Sequence, residues 1–355
     1  MDIYVLDGLN GIIDIISTFQ SCIWNVQYFG QNDFQLVVNA STENVDVLQP
    51  GKLLVRDMDI SGSTYKNVMV IQSYKLDFDT EKGWLLTLTG KGLKNDILKR
   101  RIVWNQTNLT GKAEVAIRQV INENVITPQD SARAISGFTL AASHGYTESI
   151  DTQLLGENLA EWLEEICTTY GFGWDVYISS NHYVFNLYKG ADRTYDQSVN
   201  TPVVFSPEFD NLLSSSYEYS VAKYENAALI GGEGEGDSRR TATIGTATGI
   251  SRCEAFIDGG SVSSNGEIIT VTQYLQMLRE YGQTQLDQTA FTKAFSGTID
   301  ADGLYKINQD FFLGDVVQIE NEKGITATPR IIEVIYAEDE NGSSVVPTFS
   351  EWEVN

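Results

Sequence analysis

The first ninety residues alternate short apolar runs with polar turns. Each run has four to six residues rich in Val, Leu and Ile, and the turns between them contain Gly, Ser and Lys. Runs of this kind are typical of β-strands, and several of them at this spacing predict a small sandwich or barrel. The predicted strands are 34–38, 51–56, 68–71 and 84–89.

From about residue 110 the apolar positions follow a helical period. Stripes at i, i+3, i+4 and i+7 predict one helix over 113–121 and another over 159–170, with Gly171 as its stop. Alternating apolar residues over 174–178 and 183–187 then predict a β-hairpin. Residues 110–190 are therefore expected to form a small α+β module between β-rich flanks.

The region 200–355 is again rich in predicted strands. One helix is predicted near 271–288 from the spacing of its apolar residues, although Gly282 weakens that helix. No low-complexity linker interrupts the chain, so we expect closely packed domains. The apolar residues of this helix are Tyr274, Leu275, Leu278, Tyr281 and Leu286.

The chain is strongly acidic. Its 355 residues carry a formal charge of -24, and the excess in successive blocks ending at residues 100, 200, 300 and 355 is -3, -6, -7 and -8. Nucleic acids and anionic membranes both bind positive surfaces, so the general surface of this protein is not expected to bind either. On composition alone, the acidity favours solubility.

The amino-terminal segment lacks the features of a secretion signal. Residues 1–7 have no basic start followed by a long apolar run. No apolar stretch approaches the ~20 residues that span a bilayer. We therefore expect no membrane anchor.

Residue types that commonly build active or metal sites are few and scattered. Cys22, Cys167 and Cys253 lie far apart, which predicts neither a disulfide framework nor a zinc site. His144 and His182 both lie in polar turns without a recognisable partner. A Ser-His-Asp triad or a histidine metal site is therefore not expected.

Three motif-like features have simpler interpretations. The acidic turn 57–62 resembles the start of a calcium loop, but its twelfth position is Val68 rather than a carboxylate. The glycine-rich loop 231–236 contains two glutamates, which would repel a phosphate. Carboxylates are numerous, but sequence alone does not supply the spacing that glycosidase chemistry requires. We predict no catalytic, cofactor-binding or metal-binding residue.

Several segments, taken in order, resemble the siphophage tail-hub family, whose long members form the amino-terminal part of tail-associated lysins. The resemblance covers nearly the whole chain, and each segment is weak alone while the ordered series is more specific. The segments are Trp24, 34–36, 48–56, 90–102, 190–194, 204–206, 210–212, 228–234, 252–258 and 312–317.

This resemblance implies a mainly β fold similar to the central baseplate hub of contractile phages. It predicts two β-barrel domains with an inserted α+β module. The boundaries are a first barrel at 1–105, the module at 106–198, and a second barrel at 199–355 that contains the helix near 271–288.

The resemblance also implies a structural role in the virion. Three copies would form a ring of six barrels that matches a hexameric tail tube and leaves a channel for DNA. Its partners would be itself, a distal tail or tail tube protein, a tape measure protein and a tip, spike or fibre protein. The protein would be made in the host cytoplasm and located at the tail tip. Enzymatic domains of longer relatives follow the hub, and none is recognised here, so we expect no enzyme.

Two other classes of function stay open. A carbohydrate- or receptor-binding tail-tip protein would use some of the 17 tyrosines and 6 tryptophans as an exposed platform for sugars. An acid/base glycosidase has no support beyond its many carboxylates. The acidic excess acquires a role in the hub model, because a channel lined by carboxylates would not bind DNA phosphates.

Overall fold

The computed structural model describes residues 1–264, 269–287, 289, 292–300 and 303–350, with only the backbone for 292–298. The predicted helix end at Gln288 and residues 351–355 of the predicted second barrel lie outside the described residues. The α-helices of the described part are α1 (Thr42–Val47), α2 (Leu93–Lys99), α3 (Ala113–Ile121), α4 (Leu159–Tyr170) and α5 (Val271–Asp287).

Strands outnumber helices, and the prediction of a mainly β fold with α+β modules is confirmed. The strands of the described residues are β1 (Ile3–Leu6), β2 (Ile12–Ile16), β3 (Ser21–Gln27), β4 (Asp33–Asn39), β5 (Leu53–Arg56), β6 (Ile60–Ser61), β7 (Thr64–Tyr65), β8 (Met69–Asp79), β9 (Gly83–Gly92), β10 (Thr107–Lys112), β11 (Phe138–Leu140), β12 (Ser149–Leu154), β13 (Gly173–Ser179), β14 (His182–Tyr188), β15 (Asp192–Arg193), β16 (Val204–Phe205), β17 (Leu212–Ser220), β18 (Ala227–Gly231), β19 (Thr241–Ile244), β20 (Glu254–Asp258), β21 (Thr292–Ile299), β22 (Val316–Glu320), β23 (Thr326–Ala327), β24 (Ile331–Asp339) and β25 (Gly342–Phe349).

The described residues pack as two compact units. The first contains 1–214 and 297–350, and the second contains 215–296. The paired strands β17 and β21 carry the chain from the first unit to the second and back.

The first unit is built around a sheet of nine strands in the order β2-β1-β5-β8-β9-β4-β3-β24-β25. This sheet curls until strands that are not neighbours meet. The amino group of Met1 lies 3.3 Å from the carboxylate of Glu338 in β24. The Arg56 guanidinium of β5 lies 3.8 Å from the ring centre of Tyr336 in β24 and 5.6 Å from that of Trp24 in β3.

The second layer of this unit is a five-stranded sheet in the order β11-β14-β13-β7-β6. Helices α3 and α4 contribute their apolar stripes to one core with the inner faces of β13 and β14 and with residues of the nine-stranded sheet. Cys167 is fully buried in this core, as its helical spacing predicts. The core includes Val55, Val70, Ile117, Val120, Leu163, Trp174 and Phe185.

Two segments pair with strands that are distant from them in sequence. The β6–β7 hairpin pairs with β13 through Tyr65 and Ile178, and β24 pairs with β3 through Tyr336 and Trp24. Both ends of the described chain therefore contribute to one sheet. The division at residues 105 and 198 stays a prediction.

The second unit contains a sheet in the order β19-β18-β20 with α5 packed on one face. Helix α5 lies where the apolar spacing predicts it. A Cβ on Gly282 would lie 2.4 Å from Ile230 Cγ1, so the glycine lets the helix approach the sheet closely. Gly282 lowers the helix propensity of this segment, but it is also the residue that allows α5 to pack closely on the sheet.

Lys94 of α2 is a buried cation. Its side chain is 2% exposed, and its Nζ donates to the carbonyl oxygens of Gln27 (2.7 Å) and Trp174 (3.2 Å). Burial lowers the pKa of Lys94 from its usual 10.5 to about 8, although the Asp175 carboxylate partly opposes the shift. The ammonium group therefore links β3 of the nine-stranded sheet to β13 of the five-stranded sheet, and its burial carries a desolvation cost.

A carboxylate junction joins a second pair of distant segments. Asp315 is 3% exposed and accepts hydrogen bonds from Ala191 N (2.7 Å), Phe312 N (3.0 Å) and Arg193 Nε (2.6 Å). Strand β15 pairs with β22 immediately beside it. Because all three donors converge on one carboxylate, Asp315 fixes the 312–317 turn against the 190–194 segment.

The ring of Tyr28 lies next to this junction and is fully buried. Its hydroxyl lies 3.1 Å from the Gly171 carbonyl and accepts from Gly190 N at 3.2 Å. A Cβ on Gly173 or on Gly314 would lie 2.2 Å from a Tyr28 ring carbon. Glycines at these positions therefore make room for the ring, and Gly314 also has a φ of +94°.

The burial of Lys94 predicts a pH-dependent stability. The folded protein releases the Lys94 proton at lower pH than the unfolded chain does. The stability gained from this early release is therefore fully present above pH 10.5 and is lost as the pH falls through about 8. Relative to Lys94→Met, the wild-type free energy of unfolding should rise by up to about 3 kcal/mol across that window. Urea denaturation at pH values on both sides of the window measures the difference. Lys99→Met, on the exposed end of α2, should show no such dependence, and a pH-independent difference for Lys94→Met would contradict the assignment.

The Asp315 junction predicts a large cost for removing its carboxylate. Asp315→Ala should lower the free energy of unfolding by about 3–5 kcal/mol, because Arg193 and two backbone donors lose their partner inside the protein. Denaturant unfolding followed by tryptophan fluorescence measures the change. The control is Asp7→Ala, which breaks a partly exposed ion pair with Lys52 of the same 2.6 Å length. Its loss should be much smaller, since solvent screens that pair. An equal decrease in the free energy of unfolding for the two variants would show that the buried junction contributes no more to stability than the Asp7–Lys52 pair.

Candidate assembly surface

The β8–β9 hairpin extends well beyond the end of β5, while on its other side β4 stays paired with β9 as far as Leu85. Strand β8 pairs with β5 only at Met69 and Val70, while its pairing with β9 continues to Asp79. From Gln72 onward, the other edge of β8 has no strand partner within the described residues. This leaves a row of backbone donors and acceptors available for pairing.

One face of this hairpin is apolar. Tyr74, Leu76 and Phe78 share the face of Leu88, Leu86 and Trp84, which lie opposite them in β9. Leu86 and Leu88 are buried in the protein, but Phe78 is 61% exposed and Trp84 is 58% exposed. The Phe78 and Trp84 rings contact each other with centres 5.4 Å apart. The apolar face of the core therefore continues onto a surface that no residue of the described part of the chain covers.

The first edge of the sheet is also apolar. Strand β2 pairs with β1 on one side, and Ile12, Ile13 and Ile15 are all more than 40% exposed. Asp14 is its one charged residue, and it contains neither lysine nor proline. Exposed apolar edges without such residues readily pair with other chains.

The opposite edge of the sheet differs. Strand β25 contains Pro347, which has no N–H to donate to a further strand. Its exposed Val346 has about the same exposure as Ile15, at 47% against 46%. The β2 edge therefore exposes three large apolar side chains and the β25 edge one, and only the β25 edge contains a proline.

Acidic side chains lie mainly on the surface. Of the carboxylates described in 201–350, Asp315 is the buried one, and the others are exposed or partly exposed. The loop 231–236 is organised by Arg239, which donates to the Gly231 and Gly232 carbonyls and pairs with Asp258 at 2.6 Å. These contacts hold the backbone of the loop in place beside β20.

The other candidate residues also have structural partners. The Asp59 carboxylate of the acidic turn accepts from Arg56 Nε and Asn67 Nδ2, each at 2.6 Å. His144 stacks on Tyr146, and His182 Nδ1 lies 2.8 Å from the Ser180 carbonyl in a hairpin turn. These contacts bring no histidine beside a candidate nucleophile.

The part of the chain that the structure describes lacks two other kinds of feature. No group of three or more His, Cys, Asp or Glu residues is arranged to hold a metal ion. No helix there is long and apolar enough to cross a bilayer.

Sequence alone did not identify the exposed hairpin. The predicted strand 84–89 has Trp84 on the same face as Leu86 and Leu88, and that alternation is usual for a residue inside the core. Trp84 is exposed because the pairing between β5 and β8 stops at Val70, well before the hairpin turn. That stop depends on contacts between strands, which the sequence pattern does not show.

Solved structures of phage tail proteins share the fold over nearly their whole length. The tail protein from Neisseria meningitidis MC58 is 14% identical with a TM-score of 0.56, and the match covers 99% of this chain and 96% of that one. The prophage MuSo2 43 kDa tail protein from Shewanella oneidensis is 12% identical with a TM-score of 0.58, covering 99% and 98%. The prophage tail protein gp18 from Listeria monocytogenes EGD-e is 13% identical with a TM-score of 0.51, covering 99% and 95%.

No curated protein sequence matches the chain significantly. A family model described as "Siphovirus ReqiPepy6 Gp37-like protein" matches residues 2–349. The resemblance to siphophage tail proteins is confirmed, and the fold is of the phage tail hub and baseplate type. The chain belongs to the Siphovirus ReqiPepy6 Gp37-like protein family.

Proposed function

We propose that the protein is a non-enzymatic hub at the tail tip of the virion. Three copies form a ring that joins a hexameric tail tube or distal tail protein to the tip and leaves a channel for DNA. The observation that carries this proposal is the exposed β8–β9 hairpin together with the apolar β2 edge. In a chain with a tail-protein fold, these surfaces are suited to strand pairing and apolar packing with another protein chain.

A ring would use both surfaces at once. Closed oligomers remove strand edges that would otherwise aggregate, and a three-copy ring with two barrels in each copy offers six similar positions to a hexameric tube. The other partners proposed are a tape measure protein and a spike, fibre or tip protein. Synthesis would take place in the cytoplasm of the bacterial host, before assembly into the particle.

The hairpin should be essential for assembly. Phe78→Lys places a charge on the apolar face and should raise the concentration needed for trimer formation at least about ten-fold, because a buried aromatic anchor contributes strongly to an interface. Native mass spectrometry and sedimentation measure the species, for which three copies of the 39.4 kDa chain are expected.

Leu155→Lys is the matched control for that experiment. Leu155 is 60% exposed but lies in a turn outside the hairpin, so its variant should assemble like the wild type. A wild-type protein that stays monomeric at every concentration would refute the ring. A trimer that tolerates Phe78→Lys would refute the role of the hairpin.

The acidic excess suggests a channel that DNA does not bind. We expect the assembled ring to leave duplex DNA unretarded in gels at low ionic strength, because carboxylate walls repel phosphates. The carboxylates of 201–350 should lie on the lumen in an electron cryomicroscopy structure of the ring. Their placement on the outer surface, or unchanged DNA ejection after lumen carboxylates are neutralised, would contradict the channel proposal.

A further inference from the structure

A cleft of about 360 Å³ lies within the first unit, between the β13–β14 hairpin and the strands β3 and β24. One wall is the outer face of the hairpin. Asp175 lies opposite Asn186, while Trp174, Val176 and Leu187 point into the core on the other face. The volume falls at the lower end of the range found for small-molecule sites.

The opposite wall is apolar and firm. Val26, Val334 and Tyr336 line it, and all three are buried. The Tyr336 ring is held from behind by the Arg56 guanidinium at 3.8 Å and by a hydrogen bond from Asn308 Nδ2 to its hydroxyl at 2.8 Å. Only 8% of Tyr336 is exposed, so the ring offers a small apolar contact in a fixed position rather than an open stacking face.

Two amides at the rim have fixed orientations. Asn67 donates its Nδ2 to Asp59 at 2.6 Å, and Asn308 donates its Nδ2 to Tyr336. Both residues have positive φ, 48° and 64°, a conformation that asparagine tolerates better than most residues. Each Nδ2 makes one of its two possible donations in these bonds, so each amide can present its oxygen and one further N–H to a ligand. No described residue donates to either oxygen.

The hairpin wall adds further polar groups. The side chains of Tyr177, Asn186 and Tyr188 line the cleft and make no side-chain hydrogen bond to another described residue. Asp175 contributes a carboxylate, whose pKa is raised by burial while the Lys94 ammonium opposes that shift. Acceptor oxygens therefore outnumber cationic donors in the cleft.

The charges in the cleft balance. Asp175 and Lys66 are its two charged lining residues and have opposite signs. A phosphate or carboxylate ligand would meet several oxygens and one lysine, and a cation would meet one carboxylate and one ammonium. The ligand that fits is neutral, rich in hydroxyl donors, and apolar on one face.

We propose that this cleft binds a neutral sugar residue of a glycan. Its hydroxyls donate to the oxygens of Asn67, Asn308 and Asp175, and an apolar edge of the sugar lies against Tyr336. Tyr177 and Asn186, on the hairpin wall, form hydrogen bonds with further hydroxyls. This activity would be additional to the hub role, and all of the residues that line the cleft belong to the first unit.

Saturation-transfer NMR on the intact chain tests the proposal. The probes are glucose, galactose, mannose, rhamnose and N-acetylglucosamine at millimolar concentration, with glucose 6-phosphate as the charged comparison. We expect transfer to at least one neutral sugar and none to the phosphate. Asn186→Ala and Tyr177→Ala should each weaken binding at least about ten-fold, because each removes a polar contact in the cleft.

His182→Ala is the matched control, because His182 lies on the same hairpin at its exposed turn and does not line the cleft. This variant should bind like the wild type, and circular dichroism should show that all three variants keep the fold. Absence of transfer to every neutral sugar would overturn the proposal. Transfer that survives both Asn186→Ala and Tyr177→Ala, or equal binding of glucose 6-phosphate, would overturn it as well.

Discussion

The buried carboxylate of Asp315 is the interaction on which the arrangement of the first unit depends. It is reached by donors from two segments about 120 residues apart, and it lies beside the fully buried ring of Tyr28. Four parts of the chain meet there: the end of β3, the start of β13, the 190–194 segment and the turn before β22. A buried charge is costly unless all its hydrogen bonds are made, so this meeting point tolerates little displacement. The glycines around Tyr28 follow from the same constraint, since a side chain at either position would occupy the space of the ring.

Local patterns predicted the local elements well. The apolar stripes over 113–121 and 159–170 correspond to α3 and α4, and the alternation over 174–187 corresponds to the β13–β14 hairpin. These elements depend on periodicity within a short stretch, which sequence displays directly. The ordered motifs also led to the correct family, and two of them, 190–194 and 312–317, meet at the Asp315 junction.

The features that sequence did not predict all depend on distant contacts. The pairing of β24 with β3 joins residues about 300 positions apart, and no periodicity signals such a partner. Lys94 is a buried cation in a stretch that looks like an exposed helix end, because its acceptors are backbone carbonyls of other segments. The cleft is hidden from sequence for the same reason, since its walls come from the β13–β14 hairpin, the strands β3 and β24, and the 308–313 segment.

The pairing of β24 and β25 with β3 has a consequence for how the protein is made. Residues 21–27 leave the ribosome long before residues 331–349, so the nine-stranded sheet stays incomplete during most of synthesis. Contacts between such distant residues form late and slow folding. A prematurely terminated chain therefore lacks two strands of the sheet that also carries the exposed hairpin. Only chains translated to the end of β25 therefore contain the complete nine-stranded sheet that neighbouring subunits would contact.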